Sequence, residues 1–129
     1  MHFVLLGRQS KLAVSFMRQM VTDIEMKAIQ ELYTKIKDDL QVNKIILFGS
    51  KARGEATGYS DVDLVILTEK EKTKEDREKL SHISADLNID YGIALSCMYF
   101  NVDEWLSGEN VNPFLKDNIE KEGVEIVIQ

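Results

Sequence analysis

The chain has one cysteine in 129 residues, Cys97, so an internal disulfide is excluded. Cys97 falls in an apolar run with no His/Asp arrangement pointing to it, which reads as a small buried hydrophobe rather than a nucleophile. Long hydrophobic runs are also missing. No segment is long enough to span a bilayer. Phe3-Val4-Leu5-Leu6 is too short for the core of a signal peptide, and no small-residue cleavage site follows it, so a cytoplasmic protein is expected. Positive charge is in deficit: 16 Lys and Arg stand against 22 Asp and Glu, a net charge of −6. With a pI of about 4.9 the balance argues against nucleic acid as the main partner, because a dedicated binder carries a basic face. Repeats, low-complexity segments and linkers are absent. The remaining composition, 44% hydrophobic and 29% charged, is that of an ordinary globular domain with room for one core.

What the chain does have is concentrated in residues 49–63, which read Gly49-Ser50-Lys51-Ala52-Arg53-Gly54-Glu55-Ala56-Thr57-Gly58-Tyr59-Ser60-Asp61-Val62-Asp63. The apolar run Ile45-Ile46-Leu47-Phe48 before it has the length of a buried strand. Gly49 lets the backbone approach a ligand with no Cβ in the way. Ser50 then opens a short helix whose hydroxyl and free N–H groups suit a phosphate. Gly54 and Gly58 punctuate a loop back to a second strand, Asp61 to Leu67. Side chains alternate along a strand, so Val62, Leu64 and Ile66 share one face, and Asp61, Asp63, Val65 and Leu67 the other. The two carboxylates then sit with Cα atoms roughly 6.5–7 Å apart. Hard oxygen ligands at that spacing can flank magnesium ions, which lie about 3.5–4 Å apart in two-metal phosphoryl-transfer sites. A lone Asp-x-Asp is usually a solvated strand start, and a lone Gly-Ser is usually a turn. Their combination in strand, Gly-Ser, short basic helix, Gly loop, Asp-x-Asp, strand is much rarer, and can hold a nucleoside triphosphate with its magnesium.

The rest of the chain supplies a coarse map. Thr22-x-x-Glu25 has the form of a capping box and opens a helix to about Leu40. Ile24, Ala28, Leu32, Ile36 and Leu40 form its apolar stripe, widened by Ile29 and Tyr33. Lys70 to Lys79 is nearly all charge and reads as a solvated loop and helix start capped by Thr73. Leu80, Ile83 and Leu87 give that helix its inner face, with His82 exposed between them. Gly92 leads to a third strand near Ile93–Phe100, and Asn101-x-x-Glu104 caps another helix. Asn112-Pro113 starts the last helix, Gly123 ends it, and Val124–Ile128 can add a strand. This order suits a small α/β (α+β) domain with a mixed sheet and helices packed on it.

The 49–63 stretch resembles the signature of the DNA polymerase β-like nucleotidyltransferases, and most closely the minimal nucleotidyltransferases. The resemblance runs from about Val21 onward and includes Asn112-Pro113-Phe114-Leu115, Ile119, Glu122-Gly123 and Val124. It implies a nucleotidyltransferase domain over residues 20–129. Residues 1–19 lie outside it, either as an upstream extension before a start at Met20 or Met26, or as an amphipathic helix for a partner. The resemblance further implies ATP as substrate, with its β- and γ-phosphates at Gly49-Ser50, and two Mg2+ ions held by the catalytic Asp61 and Asp63. Arg53 is read either as a phosphate contact or as a group that packs back on Asp or Glu to fix the loop. Lys51 is expected to face solvent, and Tyr59 and Ser60 to shape the loop.

The wider family places a third carboxylate on the strand corresponding to Ile93–Phe100. Set by the Asp103-Glu104-Trp105 segment that follows it, Ser96 occupies that place. Two readings follow: a domain that works with two carboxylates, or one that binds nucleotide without efficient transfer. A chain of this length is expected to take its acceptor site from another protein. The resemblance implies a small helical HEPN ribonuclease toxin as partner, adenylylated on a tyrosine, with this chain as its antitoxin. The competing readings are a module that neutralises its partner by contact and a small-molecule nucleotidyltransferase.

Overall fold

The computed structural model describes residues 2–6, 21–55 and 60–128. In chain order the elements are β1 (His2–Leu5), α1 (Asp23–Ile36), β2 (Val42–Phe48), α2 (Gly49–Arg53), β3 (Val62–Thr68), α3 (Lys74–Tyr91), β4 (Leu95–Asn101), α4 (Val102–Ser107), α5 (Pro113–Glu122) and β5 (Val124–Val127). The five strands form one mixed sheet in the order β1-β5-β2-β3-β4, so the expected α/β architecture holds.

The helices begin where the sequence signals stand. Thr22 Oγ1 accepts the Glu25 N–H at 3.1 Å, and Glu25 Oε1 accepts the Thr22 N–H at 2.9 Å, which closes the capping box of α1. Thr73 Oγ1 caps α3, and the Asn112 side chain accepts the Phe114 and Leu115 N–H groups ahead of Pro113. α1 is shorter than its stripe suggests. It ends at Ile36, and a turn follows in which Gln41 takes φ 52° before β2 starts. Leu40 stays buried on that turn. Ile24 departs from the expected stripe and is 53% exposed. It sits on the first turn, beyond the reach of the sheet, and borders an open groove with Tyr91, Gly92 and Ile93.

β3 is the spine of the sheet. It pairs antiparallel with β2 and parallel with β4, and α3 supplies the crossover that a parallel pair requires. Both faces of β3 are covered, so its sequence is a near-continuous apolar run. Val62, Leu64 and Ile66 pack with Ile45 and Leu47 under α1 and α3. Val65 and Leu67 pack with Ile46 and Phe100 under Trp105 of α4 and Ile119 of α5. The face assignment made from strand alternation is therefore the observed one for Val62 to Leu67; Asp61 lies one residue before the strand.

The two outer strands were legible to different degrees. His2–Leu5 adds an edge strand antiparallel to β5, with Phe3 buried, where the sequence pattern predicts no strand. A four-residue run has too little length for alternation to identify it. At the other edge, β4 carries a long uncharged face, the kind of edge that invites pairing with other chains. Its ends are plugged from within the chain. The Asn88 amide takes both backbone groups of Leu95, accepting its N–H at 2.8 Å and donating to its C=O at 3.2 Å. The Lys72 ammonium lies 5.7 Å from the Tyr99 ring centroid and 5.2 Å from that of Phe100, and pairs with Glu104 at 3.2 Å.

Leu64 is fully buried at the centre of this arrangement. Leu64→Ala is expected to cost about 2–5 kcal/mol in a denaturant titration followed by Trp105 fluorescence, with lost transfer energy and a residual cavity both contributing.

Candidate active site

β2 delivers its C-terminal end to the middle of the sheet, where Phe48 lies opposite Asp63 of β3. The chain then turns at Gly49, with φ +74°, into the single turn of α2. A side chain at this position is barred twice. The backbone sits in the left-handed region, and a Cβ would fall on the Asp63 carboxylate oxygen Oδ2. The Gly49 backbone and the Asp63 carboxylate are thus in direct apposition.

Asp61 lies one residue before β3 and is exposed, while Asp63 is half-buried on the strand. Burial pushes the Asp63 carboxyl above the ordinary carboxylate range, the Asp61 charge pushes it further, and Arg53 pulls it back in part. The parallel register sets Ser96 of β4 directly beside Asp63, and Ser96 is exposed. The placement of Ser96 by its downstream segment is therefore the observed one. Asp90 sits on the last turn of α3 and Asp103 on the first turn of α4, neither of them on β3 or β4. Among the described residues no group of three or more metal-capable side chains occurs. The donor set is two carboxylates bearing mutual repulsion. That suits magnesium, which takes one or two carboxylates and fills its shell with water and phosphate oxygens.

Two basic residues of α2 behave differently from one another. Arg53 packs back on glutamates, with Nε 3.1 Å from Glu55 Oε2 and Nη1 3.6 Å from Glu122 Oε2 on α5. This is one of the two arrangements the sequence allowed. Lys51 corrects the expectation that it faces solvent. It is 2% exposed, and its Nζ lies 3.0 Å from Glu25 Oε1, itself 6% exposed. The physical reason is the roll of α2. Lys51 and Ala52 face inward, Ala52 into the core under α1. Sequence reasoning missed this pair because Glu25 is 26 residues away and already has a local role in the capping box. Tyr59 and Gly58 lie outside the described residues. His82 is exposed and away from the row, and Cys97 is half-buried with the Ser84 hydroxyl 3.7 Å from its sulfur. Burial pushes the Cys97 thiol up, in keeping with a packing role.

The model of the nucleotidyltransferase domain family matches residues 29–126, so the chain belongs to that family and is a transferase. The expected nucleotidyltransferase domain is borne out. A protein of Methanocaldococcus jannaschii, provisionally named a protein adenylyltransferase, is 30% identical over 97 residues, covering 75% of this chain and 89% of that one. Two solved structures share the fold. One, provisionally described as a minimal nucleotidyltransferase, has a TM-score of 0.53 at 24% identity, covering 83% of this chain and 97% of that chain. The other, a toxin-antitoxin structure with AMP-PNP, has a TM-score of 0.52 at 17% identity, covering 78% of this chain and 73% of that chain.

The raised Asp63 carboxyl has a thermodynamic consequence with a definite sign. The folded chain holds this proton more tightly than the unfolded chain, so the group lowers stability as pH rises through its titration range. Asp63→Asn should therefore melt at a higher temperature than the unsubstituted chain at about pH 7 without divalent cations. The gap should close as pH falls to about 3, where the carboxyl is protonated in both states. Thermal melts across that range are the check, and a gap that widens toward acid would contradict the assignment.

Proposed function

We propose that this chain moves AMP from ATP to a tyrosine hydroxyl of a helical HEPN ribonuclease toxin, with magnesium, and thereby acts as the toxin's antitoxin in the cytoplasm. The observation that carries the reading is the Asp61/Asp63 pair set against the Gly49-Ser50 turn. Asp61 and Asp63 would hold the metal, and the Ser50 hydroxyl with the turn amides would hold the β- and γ-phosphates. Bound magnesium supplies neutralisation of the triphosphate charge and of the leaving pyrophosphate. The chain's own part is positioning and fixed charge, which are the main sources of rate in phosphoryl transfer. The acceptor oxygen forms the new bond to the α-phosphorus and gives up its proton to water, and the bond from that phosphorus to pyrophosphate breaks.

Three further observations support the acceptor class. Ser96 stands beside Asp63, so no carboxylate at that place on β4 draws the acceptor's proton. A phenol, with a pKa of about 10, gives up its proton far more readily than an aliphatic alcohol, which favours tyrosine. The acidic chain, with net charge −6, also complements a basic ribonuclease. The fold neighbour seen with AMP-PNP is a toxin-antitoxin assembly. Ser96 also favours the second reading, an antitoxin that acts by contact and transfers poorly.

Co-expression with the product of the adjacent gene, followed by intact-mass measurement, separates the readings. The expected result is a partner heavier by one or more adenylyl groups, with Asp61→Asn reducing the modification rate about 100- to 1,000-fold. A stable complex of unmodified mass selects the contact reading. An inert native chain whose Ser96→Asp variant adenylylates the partner would mark the native domain as a pseudo-enzyme.

A further inference from the structure

The buried Lys51–Glu25 pair has no part in the chemistry above. Its ammonium and carboxylate are almost fully withdrawn from water, 3.0 Å apart. Among the described residues the oxygen that meets Lys51 also accepts the Thr22 N–H at 2.9 Å, so a continuous link runs from the N-cap of α1 to the middle of α2. Such a pair is a poor source of stability, because the desolvation of two ions offsets most of their attraction. What it can supply is a unique arrangement.

That arrangement follows from helix geometry. Successive residues are rotated by about 100° around a helix. With Lys51 and Ala52 turned inward, Ser50 and Arg53 fall about 60° apart on the opposite side, as i and i+3 neighbours do. The observed burial agrees: Lys51 and Ala52 are buried, Ser50 is partly accessible and Arg53 is exposed. A helix of five residues cannot hold its own orientation by backbone bonds, since a single turn is below the length at which helices persist. α2 is instead held on two sides, by Lys51 to Glu25 of α1 and by Arg53 to Glu122 of α5. The second link is exposed and weak. The first is dry, and among the described residues Glu25 is the one carboxylate paired with Lys51.

We propose that Lys51 and Glu25 are positioning residues whose ion pair sets the roll of α2, and so presents the Ser50 hydroxyl and the turn amides toward the triphosphate. Lys51 touches no phosphate. It acts through Ser50, its neighbour in the chain. This inference rests on the nucleotide-site reading of Gly49-Ser50 and Asp61/Asp63.

The test is the double variant Glu25→Gln/Lys51→Met in the full chain. The glutamine amide oxygen preserves the capping-box acceptor, and the methionine removes the other charge, so neither ion is left buried alone. Calorimetry with AMP-PNP and magnesium should show affinity weakened by about tenfold or more, because the phosphate groups are no longer pre-oriented. The melting temperature should stay within about 3 °C of the unsubstituted chain. Hydrogen exchange of the amides at residues 50–53 should accelerate, and Lys51→Arg, which keeps the pair, should retain most of the affinity. If the double variant does not fold, Glu25→Gln/Lys51→Leu, which likewise leaves no buried ion alone, replaces it with the same readouts. A folded variant with unchanged AMP-PNP affinity overturns the proposal and leaves the nucleotide site standing. An unsubstituted chain that binds no AMP-PNP overturns the nucleotide-site reading and this proposal with it.

Discussion

The contact on which the site depends is that of the Gly49 backbone with the Asp63 carboxylate. No side chain fits between them, so glycine is what lets the end of β2 lie against the start of β3. That contact presupposes the antiparallel register in which Phe48 faces Asp63. It also presupposes that the sheet continues on the other side, where Ser96 takes its place beside Asp63. A shift of one residue in either pairing would move Asp63 to the face under α1 and α3 and bury it. The apolar faces of β3 forbid that shift, because each already has its own core. Packing of the interior and placement of the charged row are therefore the same specification.

The site is costly to the fold that carries it. Two neighbouring carboxylates repel one another, and Asp63 is partly withdrawn from water as well. Nearby positive charge is used sparingly. Arg53 eases the repulsion from a distance but is already paired with Glu55 and Glu122. Lys51 is sequestered against Glu25. The row thus keeps an excess of negative charge open to a cation, in keeping with the metal and triphosphate site proposed for it. A site with lysines turned toward it would neutralise itself before any ligand arrived.

How much of this was legible in the sequence depended on the range of the interactions. Local signals were read correctly: the capping box at Thr22 and Glu25, the Asn101 and Asn112 caps, the strand alternation around Asp61 and Asp63, and the glycine that turns β2 into α2. Ser96 was placed by its distance from a downstream helix start, a ruler that works because β4 and α4 are joined without a loop. Non-local facts were out of reach. Lys51 looks like a surface lysine until its partner on another helix is known. Ile24 looks like core until the edge of the sheet is known. Phe3 looks like a fragment until β5, at the far end of the sequence, comes to lie beside it.

The position of β5 bears on how the molecule comes into being. Among the described strands, β5 is inserted between β1 and β2, although it follows both of them, and β3 and β4, along the chain. During synthesis the early strand therefore emerges with no neighbour, and the long hairpin of β2 and β3 forms with one flank bare. Such non-local closure slows folding and leaves strand edges open for longer. Every nascent chain thus passes through an interval in which its sheet is a template in search of a strand. The native fold ends that interval by filling the gap with β5.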